Sequence, residues 1–250
     1  MIVCSGTLGG QPLSADVSFE AKARVAAAAG FTGISIYARE YEPHVPALLR
    51  DLGLTVAEVD GAMAWMPGQP GEEVGRVLDI AADLSARSVT VLDLSPTPLD
   101  LGKAAEAFAA LCEKAATYGV AAHIEPFPWS GIATVGRAAE IVRRAGQANG
   151  GILVDTWHLV RGPDAGRVDA GDAPLVMAVQ VSDPAPTPGP DLRTESMTGR
   201  RLPGPVAAGI VAELRRLGSD APLEVEVFGL DLELAERARV AYDALRALEL

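Results

Sequence analysis

Eight times along this chain a short apolar run of β character is followed by a longer stretch whose apolar residues recur at helical spacing, and few folds accommodate that alternation. The runs are IVCSG near the start, GISIYA at 33–38, LTVAEVDG at 54–61, SVTVLDLS at 88–95, VAAHIEPF at 120–127, GGILVDTWH at 150–158, VMAVQVSD at 176–183 and LEVEVFG at 223–229. The pattern predicts helices over about Ser18 to Ala29, 44–53, Glu72 to Ala86, Leu101 to Tyr118 and Val206 to Leu217, and a last one over Leu230 to Leu248. Gly30 and Gly53 stand where a helix C-terminus favours a left-handed residue. Strands joined through helices pair in parallel, and eight such units in 250 residues match a (β/α)8 TIM barrel, an α/β fold. The expectation is one barrel domain over 1–250. A doubly wound open sheet is the rival. It is disfavoured because the chain has no GxGxxG after the first run and no GxxxxGK[ST] anywhere, so the phosphate-cradling loops of dinucleotide and nucleoside triphosphate binders are missing.

Several runs end on groups that a doubly buried strand should not carry. Glu125, Asp155 and Glu226 each lie at or just past the end of one run, and Gln180 ends another. A charge in that position costs free energy unless something pairs with it. The C-terminal ends of barrel strands share one rim, so four oxygen donors face a common point, and a divalent cation would pair them. Each residue alone is more often a helix cap or an ion-pair partner; the case for metal rests on the four together. Glu224 competes with Glu226, because residues two apart on a strand point the same way. Glu226 is preferred as nearer the catalytic end.

A net charge of -12, from 21 basic and 33 acidic residues, argues against nucleic acid as a partner, since that affinity comes mainly from Lys and Arg on phosphates. No stretch approaches the roughly 18–20 apolar residues needed to cross a bilayer, and the start lacks a basic segment followed by a long apolar one. The expectation is a cytoplasmic protein with a small-molecule substrate and no membrane partner; a homo-oligomer is left open. Cys4 and Cys112 fall in apolar surroundings and read as buried thiols.

Two long segments, Pro184 to Pro205 and Met63 to Gly71, read as irregular loops that emerge on the catalytic rim. Arg193, Arg200 and Arg201 in the first are suited to meet an anion, Arg201 above all; the plainer reading pairs it with Asp191 or Glu195. His158, three residues after Asp155, is the candidate for proton transfer, with a satisfied structural histidine as the plainer alternative. His123 lies deeper and suggests packing. Trp65, Trp129 and Trp157 follow strand ends, where they would wall a pocket or simply fill the core.

HIEPF, VDTWH, QVSD, RRLPG and LEVEVF, in that order, resemble the xylose isomerase-like TIM barrels, a family of sugar phosphate isomerases, epimerases and related lyases that also includes type IV endonucleases. The resemblance runs from about the second strand to the end, and it is specific for the superfamily but poorly specific for substrate. It implies one divalent metal held by Glu125, Asp155, Gln180 and Glu226. The commoner form has His at the seventh strand. Gln180 makes the donor set all oxygen, which favours Mn2+ or Mg2+ over Zn2+, with Co2+ also used in the family, and resembles a subset that includes bacterial 3-dehydroshikimate dehydratases. The implied activity is a metal-dependent isomerase or epimerase of a small sugar, sugar phosphate or related polyhydroxy carbonyl compound, working through an enediolate. His158 would be the base, Glu125 or Glu226 would move the second proton, and Arg201, Arg193, Arg200, Trp129 and Asp183 would meet substrate; Asp183 could instead orient its loop. The alternative is a lyase of the 3-dehydroshikimate dehydratase or inosose dehydratase type. A DNA repair endonuclease would call for more histidines than the three present, and a non-catalytic ligand-binding barrel would hold no metal.

Overall fold

The computed structural model describes residues 1–9, 16–66, 69 and 71–248. Eight parallel strands close into a barrel: β1 (Ile2–Cys4), β2 (Gly33–Tyr37), β3 (Thr55–Ala62), β4 (Ser88–Leu92), β5 (Ala121–Glu125), β6 (Gly150–Asp155), β7 (Val176–Val181) and β8 (Leu223–Val225), with β8 lying between β7 and β1. The helices are α1 (Ser5–Leu8), α2 (Phe19–Ala29), α3 (Val45–Leu52), α4 (Glu72–Asp83), α5 (Leu101–Thr117), α6 (Val135–Ala145), α7 (Thr156–Arg161), α8 (Leu192–Thr198), α9 (Pro205–Arg216) and α10 (Leu234–Leu248). No described helix is long and apolar enough to cross a membrane. Both cysteines are buried and unbridged.

Local chemistry sets the helix ends. Ser18 accepts a hydrogen bond from Ala21 N at 3.2 Å and starts α2; Thr134 does the same for α6 from Arg137 N at 3.1 Å. Gly30 and Gly53 close α2 and α3 in the left-handed region, at φ 106° and 67°. Helix α6 is not among the helices expected from the sequence, although its buried positions, Val135, Ala138, Ala139, Ile141 and Val142, keep helical spacing behind the Thr134 cap. β8 leaves the ladder at Val225, earlier than its apolar run suggests, and α10 begins at Leu234 rather than near Leu230.

The segment after β7 is ordered where an irregular loop was expected. Asp183–Pro184 pairs antiparallel with Arg200–Arg201 as a two-stranded ribbon, and α8 stands between its strands. Residues 67, 68 and 70 of the other expected loop, Met63 to Gly71, lie outside the described residues.

Asp183 anchors this segment. Its carboxylate accepts from Gly204 N and Ala207 N at 2.9 Å each and from Val206 N at 3.2 Å. Helix α9 begins with Gly204 at the cap, which has no side chain to do this, and Pro205, which has no N–H, so the cap comes from the ribbon. With its oxygens accepting from three backbone N–H groups, Asp183 orients the loop, the second of the two roles expected for it, and it is not among the residues lining the cavity described below. Asp183→Ala should lower stability by about 1–2 kcal/mol, the range for lost N-caps, measured as a shift in urea midpoint at unchanged m.

Candidate active site

The rim at the C-terminal ends of β5 to β8 gathers charge that the barrel buries almost completely. Register sets Asp155 beside Gln180, and Gln180 beside Glu224. Glu125, the last residue of β5, and Glu226, one step past β8, approach Asp155 from either side. The Arg200 guanidinium sits among them. Its Nη1 lies 2.5 Å from Asp155 Oδ2 and 3.2 Å from Glu226 Oε2, and its Nε donates to the carbonyl of Ser196 at 2.7 Å. The Trp157 and Phe228 rings pack against it, 5.5 and 5.2 Å from their centroids.

One guanidinium does not balance these carboxylates. Burial, then the charges of Glu226 and Asp155, hold the Glu125 carboxyl well above the usual carboxylate range. Burial likewise raises Glu226, with Arg200 opposing and Asp155 adding to the rise. For Asp155 burial also pushes upward, but the Arg200 charge, the His158 ring and their hydrogen bonds outweigh it, so its carboxyl is held low. Two carboxyl groups that burial makes costly to ionise, beside a third held ionised by Arg200, form a donor set that a divalent cation would pair.

His158 follows Asp155 on α7, where the Asp155 carboxylate caps the helix by accepting from His158 N at 2.9 Å. That cap turns the imidazole toward the cluster. Its Nε2 stands 3.6 Å from Glu125 Oε1 and 3.3 Å from Arg200 Nη2, and Phe127 and Trp129 pack on the ring at 4.6 and 5.3 Å. Burial, opposed by Asp155 and reinforced by Arg200, lowers its pKa to about 3, so the ring is neutral at physiological pH. Glu125, Asp155 and His158 each offer a ligand atom within 4.8 Å of the others, and this buried triad could hold a metal ion.

Gln180 faces a second polar layer in the barrel interior. Its Nε2 donates to Glu58 Oε1 at 3.1 Å, while its buried Oε1 has no hydrogen-bond partner among the described residues. Glu58 Oε2 lies 2.9 Å from His123 Nε2, and Ser35 donates to Glu224. Glu224 is thus committed to Ser35, whereas Glu226 reaches Arg200 and receives the Cys4 thiol at 3.4 Å. An unpartnered buried amide oxygen is costly in an apolar interior, and its availability agrees with an oxygen donor to a cation.

The cluster opens into a cavity of about 190 Å³ whose walls are mainly apolar, with Leu92, Phe127, Trp129, Met197 and Phe228 around Glu125, Glu226, His158 and Arg200. Trp129 lines it as expected from the sequence; Trp65 and Trp157 are core residues. The three loop arginines separate. Successive residues of the Arg200–Arg201 strand point to opposite faces, so Arg200 turns inward and Arg201 outward into solvent, away from the cavity. Arg193 stands at the rim, 5.7 Å from the Trp129 ring centroid, with Nη2 donating to the Leu94 carbonyl at 3.2 Å. Asp60, at the end of β3, lines the opposite wall. Its position at a strand end marks it in the sequence, but not the wall it faces.

A family profile described as xylose isomerase-like TIM barrel matches residues 23–249. A curated 3-dehydroshikimate dehydratase from Pseudomonas aeruginosa is 30% identical over 249 residues, covering 91% of this chain and 39% of that protein. Among solved structures, a xylose isomerase-like TIM barrel/4-hydroxyphenylpyruvate dioxygenase fusion protein superposes with TM-score 0.85 at 22% identity over 99% of this chain and 42% of that one. The probable 3-DHS dehydratase AsbF from Bacillus anthracis superposes with TM-score 0.71 at 15% identity, covering 98% of each chain. The chain spans well under half the length of the first two.

Removing Arg200 would leave buried carboxylates without their countercharge. Arg200→Ala should therefore cost about 3–5 kcal/mol of stability at neutral pH in metal-free protein, read from denaturant titration; a loss below about 1 kcal/mol would mean that the cluster is neutralised by other means.

Proposed function

This chain belongs to the xylose isomerase-like TIM barrel family, and within it we propose a divalent-metal-dependent dehydratase that removes water from a small cyclic β-hydroxy ketone bearing a carboxylate, of the 3-dehydroshikimate type. The observation that carries this reading is the buried carboxylate cluster with a neutral imidazole beside it, at the floor of a small aromatic-walled cavity. The Pseudomonas relative, a 3-dehydroshikimate dehydratase, supports the choice of reaction.

Glu125, Asp155, Gln180 and Glu226 would hold the ion, with the unpartnered Gln180 Oε1 as the neutral donor. Bound there, a divalent ion would stabilise negative charge developing on the substrate carbonyl oxygen. His158 Nε2 is the group suited to take the α-proton, since a neutral imidazole offers a lone pair where an imidazolium offers none. Phe127 and Trp129 fix the ring by packing and exclude water from it. Arg193 at the rim, its guanidinium over the Trp129 ring, is placed to meet a substrate carboxylate. The α-proton goes to His158, the β-hydroxyl leaves with its electron pair and takes up one proton, and one water is released. From 3-dehydroshikimate, loss of water followed by enolisation gives a dihydroxybenzoate.

An isomerase or epimerase shares the first step and differs in the second: the proton returns to carbon and no bond to oxygen breaks. The test is to incubate protein purified with Mn2+ with 3-dehydroshikimate and follow the dihydroxybenzoate by its absorbance and by chromatography. Product should form, stop when EDTA removes the metal, and return when Mn2+ is restored. Interconversion of ketoses without any dihydroxybenzoate would move the assignment to the isomerase reading.

His158→Ala should keep its metal and lose about 10²–10⁴-fold in turnover, the usual contribution of a positioned base. Loss of metal in that variant would make His158 a ligand.

A further inference from the structure

The carboxylates, the imidazole and the guanidinium of the site come from β5 to β8 and the segment after β7. The opposite wall of the cavity, built by β2 to β4, carries two polar side chains among the described residues, Tyr37 and Asp60. Asp60 is 7% exposed, and its Oδ1 has no hydrogen-bond partner among the described residues. Its other side is held from behind. Thr90, its register partner on β4, hydrogen-bonds the carboxyl, and Thr90 Oγ1 lies 3.1 Å from His123 Nε2, itself 2.9 Å from Glu58 Oε2. The strand is shaped around this residue. The β3–β4 register slips between Asp60 and Ala62, and Gly61 between them takes φ 114°, a bulge that re-aims the neighbouring side chain and that only glycine adopts without strain. A buried carboxyl with a free oxygen on a cavity wall is an expensive arrangement to leave unused.

We propose that Asp60 is a further catalytic residue, the acid that protonates the departing hydroxyl across the cavity from His158. The assignment rests on the dehydratase reading of the site. His158 Nε2 takes the α-proton, reversibly, and the C–H electron pair moves onto the carbonyl oxygen as an enolate; the enolate then forms the carbon–carbon double bond as the bond from the β-carbon to oxygen breaks with its electron pair going to oxygen; Asp60 gives that oxygen a proton, and water leaves. The enzyme then carries one proton too many on His158 and one too few on Asp60, and exchange with solvent restores both. Burial, then the charge of Glu58, raises the Asp60 pKa to about 7, so the protonated form is populated at neutral pH. Tyr37, the other polar group on that wall, has its hydroxyl 3.8 Å from Cys4 Sγ.

The experiment separates the two proton transfers. Mn2+-loaded wild type and Asp60→Asn are incubated with 3-dehydroshikimate in D2O, and NMR follows deuterium entry at the α-carbon of unreacted substrate beside formation of the dihydroxybenzoate. Metal content and melting temperature are measured on both, with Asp60→Ser as a second variant should the first not fold. Asp60→Asn should bind metal as wild type does, form product about 10²–10⁴-fold more slowly, and still exchange its α-hydrogen. His158→Ala should lose the exchange as well. Wild-type product formation in Asp60→Asn, or equal loss of exchange and elimination, overturns the assignment of Asp60 alone. A wild type that exchanges the α-hydrogen but never releases water overturns the dehydratase reading, and the leaving-group role with it.

Discussion

The placement of one guanidinium among buried carboxylates is the constraint on which the catalytic face depends. Asp155 and Glu226 are too deeply buried to be solvated, and Arg200 reaches both. The barrel strands do not supply this arginine. It comes from the segment after β7, and that explains why the segment is folded. Its Nε is held by the Ser196 carbonyl in α8, and α8 is fastened through Glu195, which receives Arg161 Nε at 2.6 Å and Gly189 N at 2.9 Å. The ribbon brings Arg200 back over the rim, and Asp183 ties its other strand to the start of α9. Charge balance in the site and order in the covering segment are therefore the same interaction seen from two sides.

The barrel interior extends this economy downward. Barrel cores are usually filled by Val, Ile and Leu in layers, whereas here Glu58, His123, Gln180, Glu224, Ser35 and Thr90 form a buried hydrogen-bonded layer beneath the cavity. A polar layer costs desolvation unless its members satisfy one another, and most of these do. The exceptions among the described residues are Gln180 Oε1 and His123 Nδ1. The layer fixes the orientation of Gln180 and supports Thr90, and through it Asp60, so groups on opposite walls of the cavity are positioned by one network.

The parts of this arrangement that were readable from sequence are those with a local signal. Strands buried on both faces leave uninterrupted apolar runs, and a carboxylate closing such a run is conspicuous, which is why Glu125, Asp155 and Glu226 could be named together with their rim. The glycines that end α2 and α3, Gly30 and Gly53, act within one turn and were equally visible. The features that escaped the sequence depend on partners far along the chain. Helix α8 buries Glu195 and Ser196, polar residues with no helical apolar stripe; a distant arginine holds it in place. Whether Arg200 or Arg201 enters the site is decided by the parity of a two-residue strand, and the doublet itself carries no such information. For Asp183 the resemblance left two roles open, a substrate contact or an orienter of its loop; the geometry of Gly204 and Pro205 makes it a helix cap.

The contents of the two walls bear on the choice between elimination and isomerisation. In isomerisation or epimerisation the proton returns to carbon and no hydroxyl has to leave. Breaking a carbon–oxygen bond needs an acid near the departing oxygen, because hydroxide is a poor leaving group in a cavity that excludes water. Leu92 and Leu94 form the apolar part of that wall, and β3 bulges at Gly61 beside Asp60, whose Oδ1 has no hydrogen-bond partner among the described residues. On the proposed dehydratase reading, the bulge at Gly61 and the burial of Asp60 set that carboxyl where a departing oxygen would need a proton, across the cavity from His158.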